Sequence, residues 1–377
     1  MPISEPQRIV VAVDLDYFFA QCEEVRHPEL KARPVVICVY SGRTEDSGVV
    51  STANYVARSF GVKSGIPIVN AKKLLDKLPE AVFLPTDLEY YETTSDKIMQ
   101  ALRSHSKMFE RVSIDEAFID VSSECNGNYS RAAEIGKGIK SEIRNKQSLT
   151  CSLGIARNKS LAKMAADSKK PDGLVVLHPD QIESFLKDLP VRKLIGVGSK
   201  MEAMMQSLRV RTIGELSAFD ESKLIGVFGK NMGTRFKLLA RGIDHDPVEE
   251  KIAEQYSRII TLKTDADSFS FAKELTPLVE DISNWLKVSK RRCRTIGVIY
   301  VTSTIKLKNR SNTLSTGTDS AEEILAQASM LFERIFASEE KGSQKIRRIG
   351  IRVSKLSEDS PKPDAPSSLT HYFDKSS

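Results

Sequence analysis

Three carboxylates stand where apolar runs break. Asp14 closes the β-rich run over residues 8–13, and Asp16 follows two residues on. Asp115 and Glu116 are adjacent, between Val112-Ser113-Ile114 and Ala117-Phe118-Ile119. Side chains at strand ends converge on the crevice of an open sheet. Adjacent residues of a regular strand face opposite ways, so a turn or bulge is needed for Asp115 and Glu116 to reach one site. Carboxylates among apolar neighbours are costly unless cations neutralise them. Two readings of these residue types stay open. One is a two-metal phosphoryl-transfer centre, in which one ion activates an attacking hydroxyl and the other steadies a triphosphate. The other is a set of strand-end carboxylates paired with lysine or arginine, or left in water. No histidine stands beside a second histidine or a cysteine at ligand spacing. Any metal is thus expected on oxygen ligands, which suits Mg²⁺ or Mn²⁺ rather than Zn²⁺.

Further residue types suit a phosphate-bearing partner. Tyr55 and Arg58 lie three apart on an expected helix, hence on one face. A phenol and a guanidinium there both donate to phosphate oxygens, and Arg58 adds a fork of matching shape. Lys170, in Ser168-Lys169-Lys170-Pro171-Asp172-Gly173, adds a point charge, and Thr52 a hydroxyl. The formal net charge is +6, and residues 251–354, with 18 Lys+Arg against 12 Asp+Glu, account for all of it. A localised basic excess marks a nucleic-acid footprint. Residues 299–310 alternate as one half-buried strand, with Ile299, Val301, Ser303, Ile305 and Leu307 inward and Lys306, Lys308 and Arg310 outward. A second strand repeats the pattern, with Ile349, Ile351 and Val353 inward and Arg348 and Arg352 outward. Hydroxyls and cations on such faces meet phosphates and carry no sequence code. Gly196-Val197-Gly198 and Gly226-Val227-Phe228-Gly229 have the form of turns whose N–H groups approach a phosphate at a helix start.

The elements that must position these residues fall into blocks. At 377 residues the chain exceeds one ordinary core, so two to four domains are expected. Strands at 8–13, 35–40, 111–121 and 150–155 alternate with helices at 51–60, 90–107, 132–146 and 159–167, the pattern of an α+β domain. Residues 180–243 read as helical. Strands return over 252–354, with helices near 272–289 and 321–337. Residues 355–377 are rich in Ser, Pro and Asp and read as a disordered tail. No apolar run reaches the roughly 18 residues of a membrane span, and the first residues lack a secretory pattern. Five scattered cysteines without a CxxC pair point to a reducing compartment, the cytoplasm.

Four segments carry a resemblance. Val13-Asp14-Leu15-Asp16-Tyr17-Phe18-Phe19-Ala20-Gln21 and Ser113-Ile114-Asp115-Glu116-Ala117-Phe118-Ile119-Asp120 resemble the two metal-binding signatures of Y-family DNA polymerases. Between them, Thr52-Ala53-Asn54-Tyr55-Val56-Ala57-Arg58 and Gly61-Val62-Lys63-Ser64-Gly65-Ile66-Pro67 resemble the family's fingers signature. The similarity runs through about residue 354 and is nearest the archaeal DinB type. It implies an α+β right-hand polymerase: a ferredoxin-like palm (1–17 and 85–177), small fingers (18–84), a helical helix-hairpin-helix thumb (178–244) and an α/β little finger (252–354). It implies template-directed, low-fidelity DNA synthesis past damaged bases by a monomer, with primer-template DNA and dNTPs as partners.

The resemblance also implies residue roles. Asp14 and Asp115 would bridge two Mg²⁺ ions, with Mn²⁺ as a possible substitute. Glu116 would bind the ion nearer the primer 3′-hydroxyl, and the Leu15 carbonyl would complete the other. Asp16 would be structural. Tyr55, Arg58 and Lys170, with Thr52, would hold the triphosphate. Phe18 and Phe19 would border the nucleotide, Phe19 as a steric gate against a 2′-hydroxyl, while Val49 and Ser51 would form the roof. Gly196 and Gly198 would approach DNA from the thumb. In the tail, Leu369, Tyr372 and Phe373 resemble the peptide that docks polymerases on the sliding clamp PCNA, with Pro366 where that peptide usually has glutamine.

Overall fold

Every residue of β1 (Val10–Leu15) is buried. A strand covered on both faces reads as a continuous apolar run, and β1 is the middle strand of a five-stranded sheet. The structure, a computed structural model, describes residues 8–250, 252–266, 272–338 and 345–358. After β1 come α1 (Phe18–Arg26), β2 (Val35–Tyr40), β3 (Gly48–Ala53), α2 (Tyr55–Ser59), α3 (Ile68–Leu74) and β4 (Val82–Pro85). The helix expected over 51–60 begins later, because Asn54 caps it: its side chain accepts the Ala57 N–H, and the residues before it pair with β2. Then follow α4 (Leu88–Arg103), β5 (Met108–Arg111), β6 (Glu116–Asp120), α5 (Ser122–Cys125), α6 (Tyr129–Gln147), β7 (Cys151–Ala156), α7 (Lys159–Ser168) and β8 (Leu174–Val176).

The central sheet runs β5-β6-β1-β7-β8. Its first four strands pair antiparallel, and β8 joins β7 in parallel. With α4 and α6 as crossovers this is the ferredoxin-like βαββαβ arrangement with one strand added. Alternation along β1 assigns its faces. Val11, Val13 and Leu15 pack with Ile98 and Leu102 of α4 and Ile139 and Ile143 of α6. Val10 and Ala12 pack with Leu161, Ala162 and Ala165 of α7. Asp14, in phase with Val10 and Ala12, therefore points to the side that α7 covers. Gly154 of β7 lets α7 lie close, since a Cβ there would come 1.9 Å from the Ala162 carbonyl oxygen. Residues of β2, β3, α2 and α3 form a separate core around Val36, Val50, Ala57 and Ile68, whereas Val35 and Ile37 of β2 and Phe18, Ala20 and Cys22 of α1 are buried in the core of the central sheet.

Helices α8 (Ile182–Lys187), α9 (Ser199–Ser207), α10 (Ile213–Ala218), α11 (Glu221–Phe228) and α12 (Lys230–Ala240) pack on the α7 side, around Leu186, Met205, Leu216 and Phe236. The second glycine pair is divided: Gly226 lies inside α11, and only Gly229, with φ +79°, makes the turn to α12.

A second unit runs from Ile252. It contains β9 (Gln255–Ala266), α13 (Ala272–Val288), β10 (Arg291–Thr302), β11 (Leu307–Thr318), α14 (Ala321–Ser338) and β12 (Ile346–Glu358). Its antiparallel sheet, in the order β11-β10-β12-β9, carries both helices on one face. Two expectations are corrected. Residues 299–310 are not one strand but the hairpin of β10 and β11, closed where the Ile305 N–H donates to the Thr302 carbonyl and Thr302 and Lys306 pair. And β12 continues four residues past 354, pairing Glu358 with Arg291. Leu369, Tyr372 and Phe373 lie outside the described residues. Among the described residues no helix is long and apolar enough to cross a membrane.

Candidate active site

Asp14 of β1 lies directly across from Glu116 of β6. Like charges so placed repel, the more so when half-buried. The chain break expected at Asp115-Glu116 is a tight turn: the Val112 and Ser113 N–H groups donate to the Glu116 carbonyl at 3.0 and 3.2 Å, and β6 starts at Glu116. Asp115 thus sits in the turn, free of strand alternation. Its carbonyl accepts the Leu15 N–H at 2.9 Å, and its carboxylate accepts the Ser113 hydroxyl.

Two lysines neutralise the pair. Lys163 of α7 contacts Asp14, lies 3.3 Å from Glu116 Oε2 and 3.6 Å from Asp167 Oδ1. Lys170 Nζ lies 2.7 Å from Asp14 Oδ2 and 2.6 Å from Asp167 Oδ1. Burial raises the Glu116 carboxyl above its ordinary range, with Lys163 pulling it back and Asp14 adding to the rise. Burial alone would weaken the hold of Lys163 on its proton, but Asp14 and Glu116 more than reverse this. Nothing in the residue types around Lys163 marks it in the sequence. Its only local signal is the i,i+4 spacing to Asp167.

One cleft of about 280 Å³ gathers Asp14, Leu15, Asp115, Phe18, Phe19, Thr52, Tyr55, Arg58 and Lys170, together with Ser51 of the expected roof. Glu116 does not line this cleft; it stands across from Asp14 on β6. Arg58 Nε donates to the Ala53 carbonyl at 2.8 Å and its guanidinium to Thr52 Oγ1 at 3.1 Å. Burial raises the Tyr55 phenol, so it stays a hydrogen-bond donor at neutral pH. The Phe19 ring stacks on Tyr91 with centroids 4.3 Å apart and planes at 13°, and Tyr91 is fixed by its hydroxyl donating to Glu23 at 2.8 Å. Phe18 is buried beneath. Asn54 locks the fingers helix: its amide donates to Glu24 and to the Arg33 carbonyl, both at 2.8 Å, and its carbonyl accepts the Val35 N–H. Tyr91, Glu24 and Asn54 were given no role from sequence.

Among the described residues no three metal-ligating side chains already surround one point, because Asp115 faces Ser113. The donor set still fits a hard divalent cation. It offers carboxylate oxygens alone, two in register and a third on the same cleft, in a place that already holds positive charge.

The remaining candidates lie elsewhere. Gly196 has φ +87° and Gly198 caps α9, both with open space where a Cβ would point. In the second unit, Arg348 and Arg352 pair with Val301 and Gly297 on the sheet face opposite the helices. Arg352 Nε is buried there without a hydrogen-bond partner among the described residues. Lys308 and Arg310 pair with Tyr300 and Val298, whose side chains join the helix-side core. Paired residues share a face, so Lys308 and Arg310 stand on the helix side of edge strand β11 and not on the outward face expected for them, and Lys306 lies in the turn.

A ferredoxin-like sheet with carboxylates across its central strands, beside a phosphate-suited cleft, is an arrangement suited to nucleotidyl transfer. Sequence comparison gives the family. Residues 13–167 match the impB/mucB/samB family, 253–367 its C-terminal domain, and 189–243 the DNApol eta/Rev1 HhH motif. DNA polymerase IV of Nitrosopumilus maritimus is 40% identical over 97% of this chain and 99% of its own. DNA polymerase IV of Saccharolobus solfataricus is 38% identical over 93% and 97%. Among solved structures, a chimera of the Y-family polymerases Dbh and Dpo4 superposes with a TM-score of 0.85 at 33% identity, covering 93% of this chain and all of that one. An insertion ternary complex of Dbh DNA polymerase gives 0.69 at 33% identity and the same coverage. The chain belongs to the Y family of DNA polymerases, in its DinB branch. It is a DNA-directed DNA polymerase of the low-fidelity, translesion kind.

Lys163→Met takes one cation from between Asp14 and Glu116. In chelator the variant is expected to lose about 1–3 kcal/mol of stability. Added Mg²⁺ should then raise its melting temperature more than that of the wild type. Equal metal-induced shifts in the two proteins would contradict the pairing.

Proposed function

We propose that this cleft joins an incoming deoxynucleotide to a primer 3′-hydroxyl, with Asp14, Asp115 and Glu116 as ligands of two divalent ions and the Leu15 carbonyl as a further oxygen. The observation that carries the proposal is the meeting, on one cleft, of palm carboxylates with Tyr55 and Arg58 of α2 and Lys170 of the loop after α7. Mg²⁺ is the natural ion and Mn²⁺ can serve; when bound, they lower the charge cost of the attacking hydroxyl and of the triphosphate. Tyr55, Arg58 and Lys170 bind the triphosphate, with Thr52 orienting Arg58. Phe19, fixed by Tyr91, lies beneath the sugar and leaves no room for a 2′-hydroxyl. Phe18 supports Phe19 from the core. Beyond α1, which packs into the palm core, the fingers comprise α2, α3 and three short strands. They enclose the new pair loosely, which accounts for low fidelity and for bypass of damaged template bases.

Duplex DNA is held without sequence reading. Backbone N–H groups at Gly196 and Gly198 meet a phosphate at the start of α9. Arg348 and Arg352 meet others on the open sheet face, and Lys306, Lys308 and Arg310 add charge at its β11 edge. Leu369, Tyr372 and Phe373 of the tail engage a PCNA-type sliding clamp. The chain acts as a monomer in the cytoplasm, beside the DNA it copies.

Primer extension with Mg²⁺ and four dNTPs tests the activity, on undamaged templates and on templates with one abasic site. Wild type is expected to extend both, and Asp115→Ala/Glu116→Ala neither. Extension by the double variant would refute the carboxylate roles. For the sheet face, Arg348→Ala/Arg352→Ala should weaken binding equally for all sequences. It should also lower the slope of log affinity against log salt by about two. An unchanged slope would remove these arginines from the DNA interface.

A further inference from the structure

We propose that Asp16 is a positioning residue for the incoming nucleotide, acting through the loop that carries Lys170. This rests on the reading of Lys170 as a triphosphate ligand. Asp16 stands two residues after Asp14 and borders the same cleft, yet it is only 1% exposed. Its carboxylate is committed elsewhere. Oδ1 accepts the Ser152 hydroxyl at 2.7 Å, and Oδ2 accepts the Thr150 hydroxyl at 2.8 Å and the Asp172 backbone N–H at 2.9 Å. A buried carboxylate is tolerated when donors replace its water, and these three do so.

The third donor gives the arrangement its consequence. Asp172 lies two residues beyond Lys170 with φ +57°, a left-handed turn conformation that Asp enters more readily than most side-chain-bearing residues. It is held from both sides. Asp16 takes its N–H, while Lys140, at 2.6 Å, and Arg144 take its carboxylate. Gly173 closes the loop so tightly that a Cβ would fall 1.9 Å from the Lys169 carbonyl oxygen. The Asp16 backbone is fixed too: its N–H donates to the Thr150 carbonyl at 3.2 Å, and its carbonyl accepts Gln21 Nε2 at 2.7 Å. Asp16 thus ties the end of β1, which supplies Asp14, to the loop that aims Lys170 at the same point. A lysine ammonium on its long, flexible stem is a poor phosphate ligand unless its backbone is placed.

A double-mutant cycle in single-nucleotide insertion tests this, with dNTP varied on a fixed primer-template. Lys170→Ala is expected to raise the dNTP KM about tenfold. Asp16→Asn should raise it about five- to tenfold, with kcat within about twofold and the Mg²⁺ requirement unchanged. In the Lys170→Ala background Asp16→Asn should add nothing further. Multiplying effects would overturn the coupling, and a lower kcat with a higher Mg²⁺ requirement would make Asp16 a metal ligand instead. No change in KM for Lys170→Ala alone would refute the Lys170 reading, and the proposal with it. If Asp16→Asn melts before assay, Thr150→Val enters the same cycle, with a rise of about two- to threefold that must likewise vanish without Lys170.

Discussion

Two carboxylates face each other across the middle of the palm. The register of β1 and β6 sets Asp14 against Glu116, and nothing in a β-sheet relieves that repulsion from within. Relief comes from α7, which the sheet receives at close range because Gly154 carries no side chain. Lys163 reaches both acids from its first turns, and Lys170 reaches Asp14 from just beyond its end. The arrangement concentrates negative charge where a cation is wanted and keeps it foldable without one.

The fingers are joined to this centre by apolar packing of Val35 and Ile37 in the palm core and, nearer the cleft, by polar contacts. Tyr17, in a left-handed conformation at the start of α1, donates to Glu24 at 3.0 Å and sets the edge of its ring against Tyr55. Glu24 in turn receives Asn54, the cap of α2. Burial raises the Glu24 carboxyl, and these two donors oppose the rise. Three side chains therefore carry the position of the palm strand into the helix that presents Tyr55 and Arg58.

Much of this was legible in the sequence because it rests on local patterns. The spans of β2, β7, α7, α13 and α14 follow from apolar periodicity to within a residue or two, and the carboxylates announce themselves by interrupting apolar runs. The family signatures are what the metal and nucleotide roles proposed for those residues rest on. What escaped depends on tertiary approach. Lys163 reads as any helix lysine, and only the packing of α7 on Gly154 brings it to Asp14. Tyr91 and Phe19 meet from distant helices, and period gives no hint of it. The β10–β11 hairpin was hidden because its turn, Ser303-Thr304-Ile305, contains no glycine, proline or asparagine, while alternation ran on across it. Ile305 turns with φ +62°, a conformation that β-branched residues rarely take. The slip put Ile299 and Val301 on the helix side, where Val298 and Tyr300 belong.

Binding of Mn²⁺, followed by electron paramagnetic resonance with primer-template DNA and a non-hydrolysable dNTP, addresses the carboxylate pair most directly. Asp14→Asn should weaken Mn²⁺ binding by more than about tenfold, while melting temperature and DNA affinity stay near those of the wild type. Equal Mn²⁺ affinity in the two proteins would contradict the assignment of Asp14 and Glu116 as the metal site.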